Sequence, residues 1–93
     1  MSLDEVRTEI DAIDREVVGL LGRRFLYVRA AARFKASPSA VAAPDRLRAM
    51  IEKRREWAAE EGLSPDLIEG IYRELVAYFT REEEAHWGAA NSG

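Results

Sequence analysis

The stretch Leu3–Lys35, LDEVRTEIDAIDREVVGLLGRRFLYVRAAARFK, decides how the rest of the chain is read. At about 100° per residue it places Val6, Ile10, Ile13, Val17, Leu20, Val28 and Ala31 on one helical face. It contains no proline, and Ser2 followed by Glu5 carries the signature of a capping box at its start. The spacing predicts one uninterrupted amphipathic helix that ends near Lys35. Arg24 falls at the centre of the apolar face, and Lys35 continues the line Arg24, Val28, Ala31, Lys35. A charge taken out of water without a partner is costly, so two inward cations predict a buried anion.

Two further helices follow. Ala36 to Ala43 breaks the pattern with small residues and Pro38, which reads as a mobile loop. Pro44 suits the first turn of a second helix, and Gly62 its left-handed C-terminal position. The apolar stripe of that helix is Leu47, Met50, Ile51, Trp57 and Ala58. Ser64-Pro65 opens a third helix carrying Leu67, Ile68, Ile71, Tyr72, Leu75, Val76 and Phe79, predicted to run to about Trp87. Residues 88–93 are expected to fray. With no strand pattern, the fold class is all-α, three helices in a single domain over residues 1–93. The first helix would be about 50 Å long. A compact globule of this length is only about 30 Å across. Its apolar stripe continues along the overshoot, and the simplest cover is a second copy of the chain, giving an intertwined homodimer.

Composition narrows the function. The 93 residues contain no cysteine and one histidine, His86. That excludes a disulfide framework, a thiol nucleophile and thiolate or multi-histidine metal sites within one chain. Net charge is −3, with acids and bases interspersed, which argues against a nucleic-acid surface. The longest apolar run, Val17 to Leu21, is too short to span a bilayer. Asp4 and Glu5 stand where a secretory signal needs positive charge and an apolar segment, so a cytoplasmic location is expected.

Several other charged groups join Arg24 and Lys35. Arg7 lies at the edge of the first stripe, Arg46 flanks the second, and Glu83 continues the inward line Tyr72, Val76, Phe79. Together they form a set of cations plus one carboxyl group on rigid helices, fit for a small dicarboxylate. Simpler readings stand beside each. Arg24 can pair with Glu83, Lys35 can reach solvent at a helix end, and Arg7 and Arg46 can be solvated flank residues. Arg54 also points along the second stripe, so position on a helical wheel is not by itself a site. Trp57, Trp87, Tyr27 and Tyr78 are explained as core or core-edge aromatics, and the run Glu82–Glu84 as mostly solvated.

At Val6-Arg7, Ile10-Asp11-Ala12-Ile13-Asp14 and Leu20-Leu21-Gly22-Arg23-Arg24 the chain resembles the all-α chorismate mutase family, over nearly its whole length. Gly22-Arg23-Arg24, Tyr27-Val28, Arg33-Phe34-Lys35-Ala36-Ser37, Trp57-Ala58, Glu61-Gly62-Leu63 and Glu69-Gly70 resemble its isochorismate-pyruvate lyase branch, which makes salicylate for siderophores. The resemblance implies the chorismate mutase type II fold, an intertwined dimer with two sites lined by both chains. It implies that Arg24, Lys35 and Arg46 bind carboxylates and that Arg7 enters each site from the other chain. Glu83 would meet the ether oxygen of the bond being broken. No metal and no cofactor are implied.

Two positions depart from the family pattern. Mutases usually carry acids near the start of the second helix to hold a ring hydroxyl; Ala43 and Leu47 stand there, as in the lyase branch. At position 83 the family commonly has Gln, as does the lyase branch, and some mutases have Glu, so Glu83 does not settle the branch. The activity implied is isochorismate to salicylate plus pyruvate, with secondary chorismate mutase activity. The alternatives are a mutase on chorismate or 4-amino-4-deoxychorismate, and a non-catalytic helical dimerisation or regulatory module. In the enzymatic readings Arg24, Lys35 and Glu83 are catalytic, and the loop after Lys35 is a lid that anion binding closes.

Overall fold

The computed structural model describes residues 1–34 and 44–91, the side chains of 83, 84 and 86–91 excepted. The chain is all-α, in the order α1 (Leu3–Ala32), α2 (Pro44–Glu60) and α3 (Pro65–Asn91). It divides into two compact units, Met1–Arg33 and Phe34–Gly93.

The first unit is α1 alone. Ser2 caps it as the sequence predicts: its Oγ accepts the Glu5 backbone N–H at 3.1 Å and donates to Glu5 Oε1 at 3.2 Å. Asp4 and Glu5 in the first turn complement the positive end of the helix dipole. The helix stops at Ala32, short of the end expected near Lys35, because the Arg33 N–H turns back to the Ala30 carbonyl at 3.2 Å and tightens the last turn. No residue of α1 is buried, and Val6, Ile10, Ile13, Val17 and Leu20 are all exposed. A helix draws most of its stability from packing such a face, so this stripe needs cover.

The second unit is an antiparallel hairpin of α2 and α3 whose turn follows from three residues. Gly62, at φ +75°, lets the Leu63 N–H reach the Ala58 carbonyl at 2.8 Å and the Gly62 N–H reach that of Ala59 at 3.2 Å. These two bonds make a Schellman C-cap, as Gly62 predicts. Ser64 then caps α3, its Oγ accepting the Leu67 N–H at 3.2 Å, with Pro65 at the first helical position. A methyl group at Gly62 would meet no atom within 4 Å, so only the left-handed backbone resists it. Gly62→Ala is expected to cost about 1 kcal/mol, read as a lower denaturation midpoint at unchanged slope.

Ile51, Ala58 and Phe79 form the buried core between these helices. The apolar residues of α3, read from sequence as a single set, differ in cover. Ile68, Tyr72, Leu75, Val76 and Phe79 are buried or half-buried, whereas Leu67 and Ile71 are exposed, as is the neighbouring Tyr78. The helix continues to Asn91, past the end expected near Trp87.

On one side the hairpin is pinned by ions. Arg55 Nη1 of α2 donates to Asp66 Oδ1 and to Glu69 Oε1 of α3, both at 2.8 Å, and Arg73 Nε donates to Glu69 Oε2 at 2.7 Å. The bond from Arg73, opposed by partial desolvation and reinforced by the bond from Arg55, holds the Glu69 carboxyl below the usual glutamate range. A carboxyl depressed by folding stabilises the native state above its unfolded pKa, and that stabilisation is lost as pH falls through its folded value. Hairpin stability is therefore expected to hold from pH 7 down to the unperturbed glutamate value near about 4.3. It should decline below that point. Acid titration of Glu69→Gln checks this, since the variant should show a flatter acid limb.

Candidate functional site

The two candidate arginines of α1 differ in setting. Arg24 is half-buried and shares its helical face with Val6, Ile10, Ile13, Val17 and Val28; Arg7 is exposed at the edge of that face. Their separation of 17 positions on one helix amounts to about 25 Å along the axis. A small dicarboxylate is far shorter than that, so within one chain these two residues do not meet on one ligand.

Arg46 is exposed on the first turn of α2. It lines up with Met50 and Trp57 at the i, i+4, i+11 spacing, away from Arg55 and its ion pairs. Leu67, Ile71 and Tyr78 lie on the corresponding flank of α3, away from Glu69 and Arg73. The hairpin thus has a side pinned by ions between its helices and a more apolar side, on which Lys53, 3.6 Å from Glu56, and Glu74 also stand. Arg46 lies at one end of that more apolar side.

The antiparallel register relates Arg46 to α3. Arg54 lies over Tyr72, and Arg55 meets Asp66 and Glu69. Both helices rise about 1.5 Å per residue. Moving back from Arg54 to Arg46 therefore moves forward along α3 from Tyr72 to the turn holding Thr80 and Glu83. The hairpin brings the backbone of position 83 to the same end as Arg46. The Glu83 side chain, Lys35 and the proposed lid Ala36–Ala43 lie outside the described residues.

Arg54 shows why an inward cation need not be part of the same cluster. Its guanidinium lies 4.9 Å from the centre of the Trp57 ring and 5.3 Å from that of Tyr72, a cation–π setting. These residues line a cleft of about 170 Å³ with Ala58, Glu61, Leu63 and Ile68, at the closed end of the hairpin. That is remote from Arg46, eight residues back on α2 or about 12 Å. Arg29 over Phe25, at 5.3 Å, is a similar surface contact on α1. The helical wheel did not distinguish such arginines from ligand-binding ones, because it carries no information on facing aromatics. The Arg55–Glu69–Arg73 cluster was also missed, although the i, i+4 spacing of Glu69 and Arg73 was there to be read.

Among the described residues, no group of three or more His, Cys, Asp or Glu is placed to hold a metal ion, and no helix is long and apolar enough to cross a membrane. The chorismate mutase type II family model matches residues 6–84. The chain is 42% identical, over 85 residues, to the isochorismate pyruvate lyase of Pseudomonas aeruginosa; the match covers 91% of this chain and 84% of that protein. It is 36% identical over 76 residues to the T-protein of Haemophilus influenzae, covering 81% of this chain and 20% of that protein.

Proposed function

Because the chain belongs to the chorismate mutase type II family, we propose that it is a pericyclic lyase converting isochorismate to salicylate plus pyruvate, with secondary mutase activity. The observation that carries this reading is the 42% identity, along most of both chains, with a protein named isochorismate pyruvate lyase. Leu47, half-buried on α2, supports it, since an apolar side chain there offers nothing to hold a ring hydroxyl. The family name favours a second reading, a mutase acting on chorismate, with 4-amino-4-deoxychorismate as the alternative substrate of that reading. Incubation with each substrate, followed by chromatography, separates the two. Salicylate and pyruvate are expected to form faster from isochorismate than prephenate forms from chorismate. The reverse order, or no salicylate at all, would overturn the lyase assignment.

The reaction needs little from the protein except positioning and charge. Both substrates carry two carboxylates and an enolpyruvyl ether whose ring carbon–oxygen bond breaks. A concerted path requires the side chain folded over the ring, with its charges clamped. In the lyase reaction the hydrogen on the hydroxyl-bearing ring carbon moves to the enolpyruvyl methylene as the ring carbon–oxygen bond breaks. This gives the methyl group of pyruvate and the aromatic ring of salicylate. The negative charge that develops on the ether oxygen, the future carbonyl oxygen of pyruvate, needs stabilisation. Arg24 and Arg7 take the carboxylates, with Arg7 supplied by a second copy of the chain, a reading supported by the separation of about 25 Å between them along α1 (about 1.5 Å per residue). Lys35 spans a carboxylate and the ether oxygen. Arg46 supports the site from α2, and Glu83 donates a hydrogen bond to the ether oxygen from the same end of the hairpin.

The same reading makes residues 1–93 one helical domain that acts as a cytoplasmic homodimer. Charge along α1 supports antiparallel pairing. Asp4, Glu5, Glu9, Asp11, Asp14 and Glu16 outnumber Arg7 and Arg15 in its first half, while Arg23, Arg24 and Arg29 fall in its second half, which has no acid, and Arg33 follows it. Antiparallel helices place each half against its opposite. A non-catalytic module is tested by thermal shift with a bicyclic diacid shaped like the pericyclic transition state. Binding must raise the melting temperature, and no shift at millimolar diacid would remove the enzymatic reading.

A further inference from the structure

Arg54 is half-buried, as Arg24 and the ion-paired Arg55 are, and the reaction proposed above does not use it. Its Nη1 makes one long hydrogen bond, 3.4 Å to the Met50 carbonyl, and its Nε is buried with no hydrogen-bond partner among the described residues. Nor does any described carboxylate lie within ion-pair distance of it; Glu61 lines the same cleft without pairing. The two aromatic rings hold the guanidinium in place but do not neutralise it. It sits beside Trp57 and close to the apolar side of the hairpin, where Trp57, Leu63, Leu67 and Ile71 are exposed. Covering that side would strip water from a cation with no counter-charge, which opposes docking unless the covering element brings an acid.

The acidic first half of α1 has such acids beside an apolar stripe that itself lacks cover. Asp14 lies between Ile10 and Val17, at the i+4 and i−3 positions, and among the described residues it has no ion-pair partner. Its short side chain keeps the carboxylate next to the stripe. Glu9 and Glu16, on the opposite edge, are long enough to reach solvent. We infer that Asp14 of a second copy of the chain pairs with Arg54, so that each α1 docks on the apolar side of the other chain's hairpin and the dimer carries two such ion pairs. The inference rests on the homodimer of the proposed function and assigns a specific contact within it.

Charge reversal with mixing tests this. Arg54→Glu and Asp14→Arg, each alone, place like charges at both contacts and should raise the dimer dissociation constant about 100-fold or more, the scale of losing one partner of a desolvated pair. A mixture of the two variants forms heterodimers in which both contacts are again opposite in charge. The equimolar mixture should therefore recover dimer by sedimentation velocity at concentrations where each variant alone dissociates. A mixture that only averages the two variants would overturn the inference, since a pair formed within one chain cannot be rescued by mixing. Single variants as dimeric as the unmodified chain would overturn it too, as would rescue of Arg54→Glu by Glu9→Arg or Glu16→Arg in place of Asp14→Arg. If the reversals do not fold, Arg54→Gln, Asp14→Asn and their double variant replace them, with positive coupling in the dissociation constant expected and strict additivity counting against the pair. The unmodified chain separates the two levels. If it sediments as a monomer the homodimer reading fails; if it is a dimer but mixing gives no rescue, only the contact between Arg54 and Asp14 fails.

Discussion

Arg24→Ala is expected to lower kcat/KM on isochorismate by about 100-fold or more while leaving the helical circular dichroism of the protein intact. The magnitude is that of removing one preorganised donor from developing charge, roughly 3 kcal/mol of transition-state stabilisation. Arg24 shares its face with the exposed stripe of α1, so whatever covers that stripe also desolvates Arg24 and strengthens its hold on a carboxylate. Steady-state kinetics check the effect. Arg24→Lys keeps the charge but loses the planar fork, and should recover part of the activity. Full activity in Arg24→Ala would remove the residue from the site.

Glu83→Gln is expected to change how the rate depends on pH. A glutamate can donate a hydrogen bond to the ether oxygen only when protonated. Above the pKa of that carboxyl the competent fraction, and with it kcat/KM, falls about tenfold per pH unit. The amide of Gln donates at any pH. The variant should therefore give a flat profile and exceed the unmodified enzyme at neutral pH, with the two converging as pH falls. Profiles of kcat/KM taken side by side decide the matter, and a variant inactive at every pH would show that Glu83 does something other than donate this bond. At low pH the comparison is bounded by Glu69, whose ion pairs with Arg55 and Arg73 are lost as it protonates. Activity that rises on acidification through Glu83 should end where the hairpin loosens.

Most of the architecture was legible in local chemistry. The Ser2 and Ser64 caps, Pro44 and Pro65 at helix starts and Gly62 at a helix end each act through one or two backbone bonds within a few residues, and all appear where the sequence places them. The ends of α1 and α3 were less legible, since a helix terminus depends on the balance of a few weak bonds in its last turn. The all-α class, the unbroken first helix and the membership of Arg24 in its apolar face also follow from residue order alone, because helical periodicity is a property of the backbone.

Only the folded hairpin could show which apolar residues of α3 meet α2 and which stay exposed, that Arg54 rests on Trp57 and Tyr72, and that Arg46 shares an end with position 83. The physical reason is the same in each case. Periodicity fixes the angle of a side chain about its own helix axis, whereas its neighbours depend on how a second helix is set against the first, and that follows from a tight turn, a small core and the arginine–carboxylate contacts of Glu69 acting together.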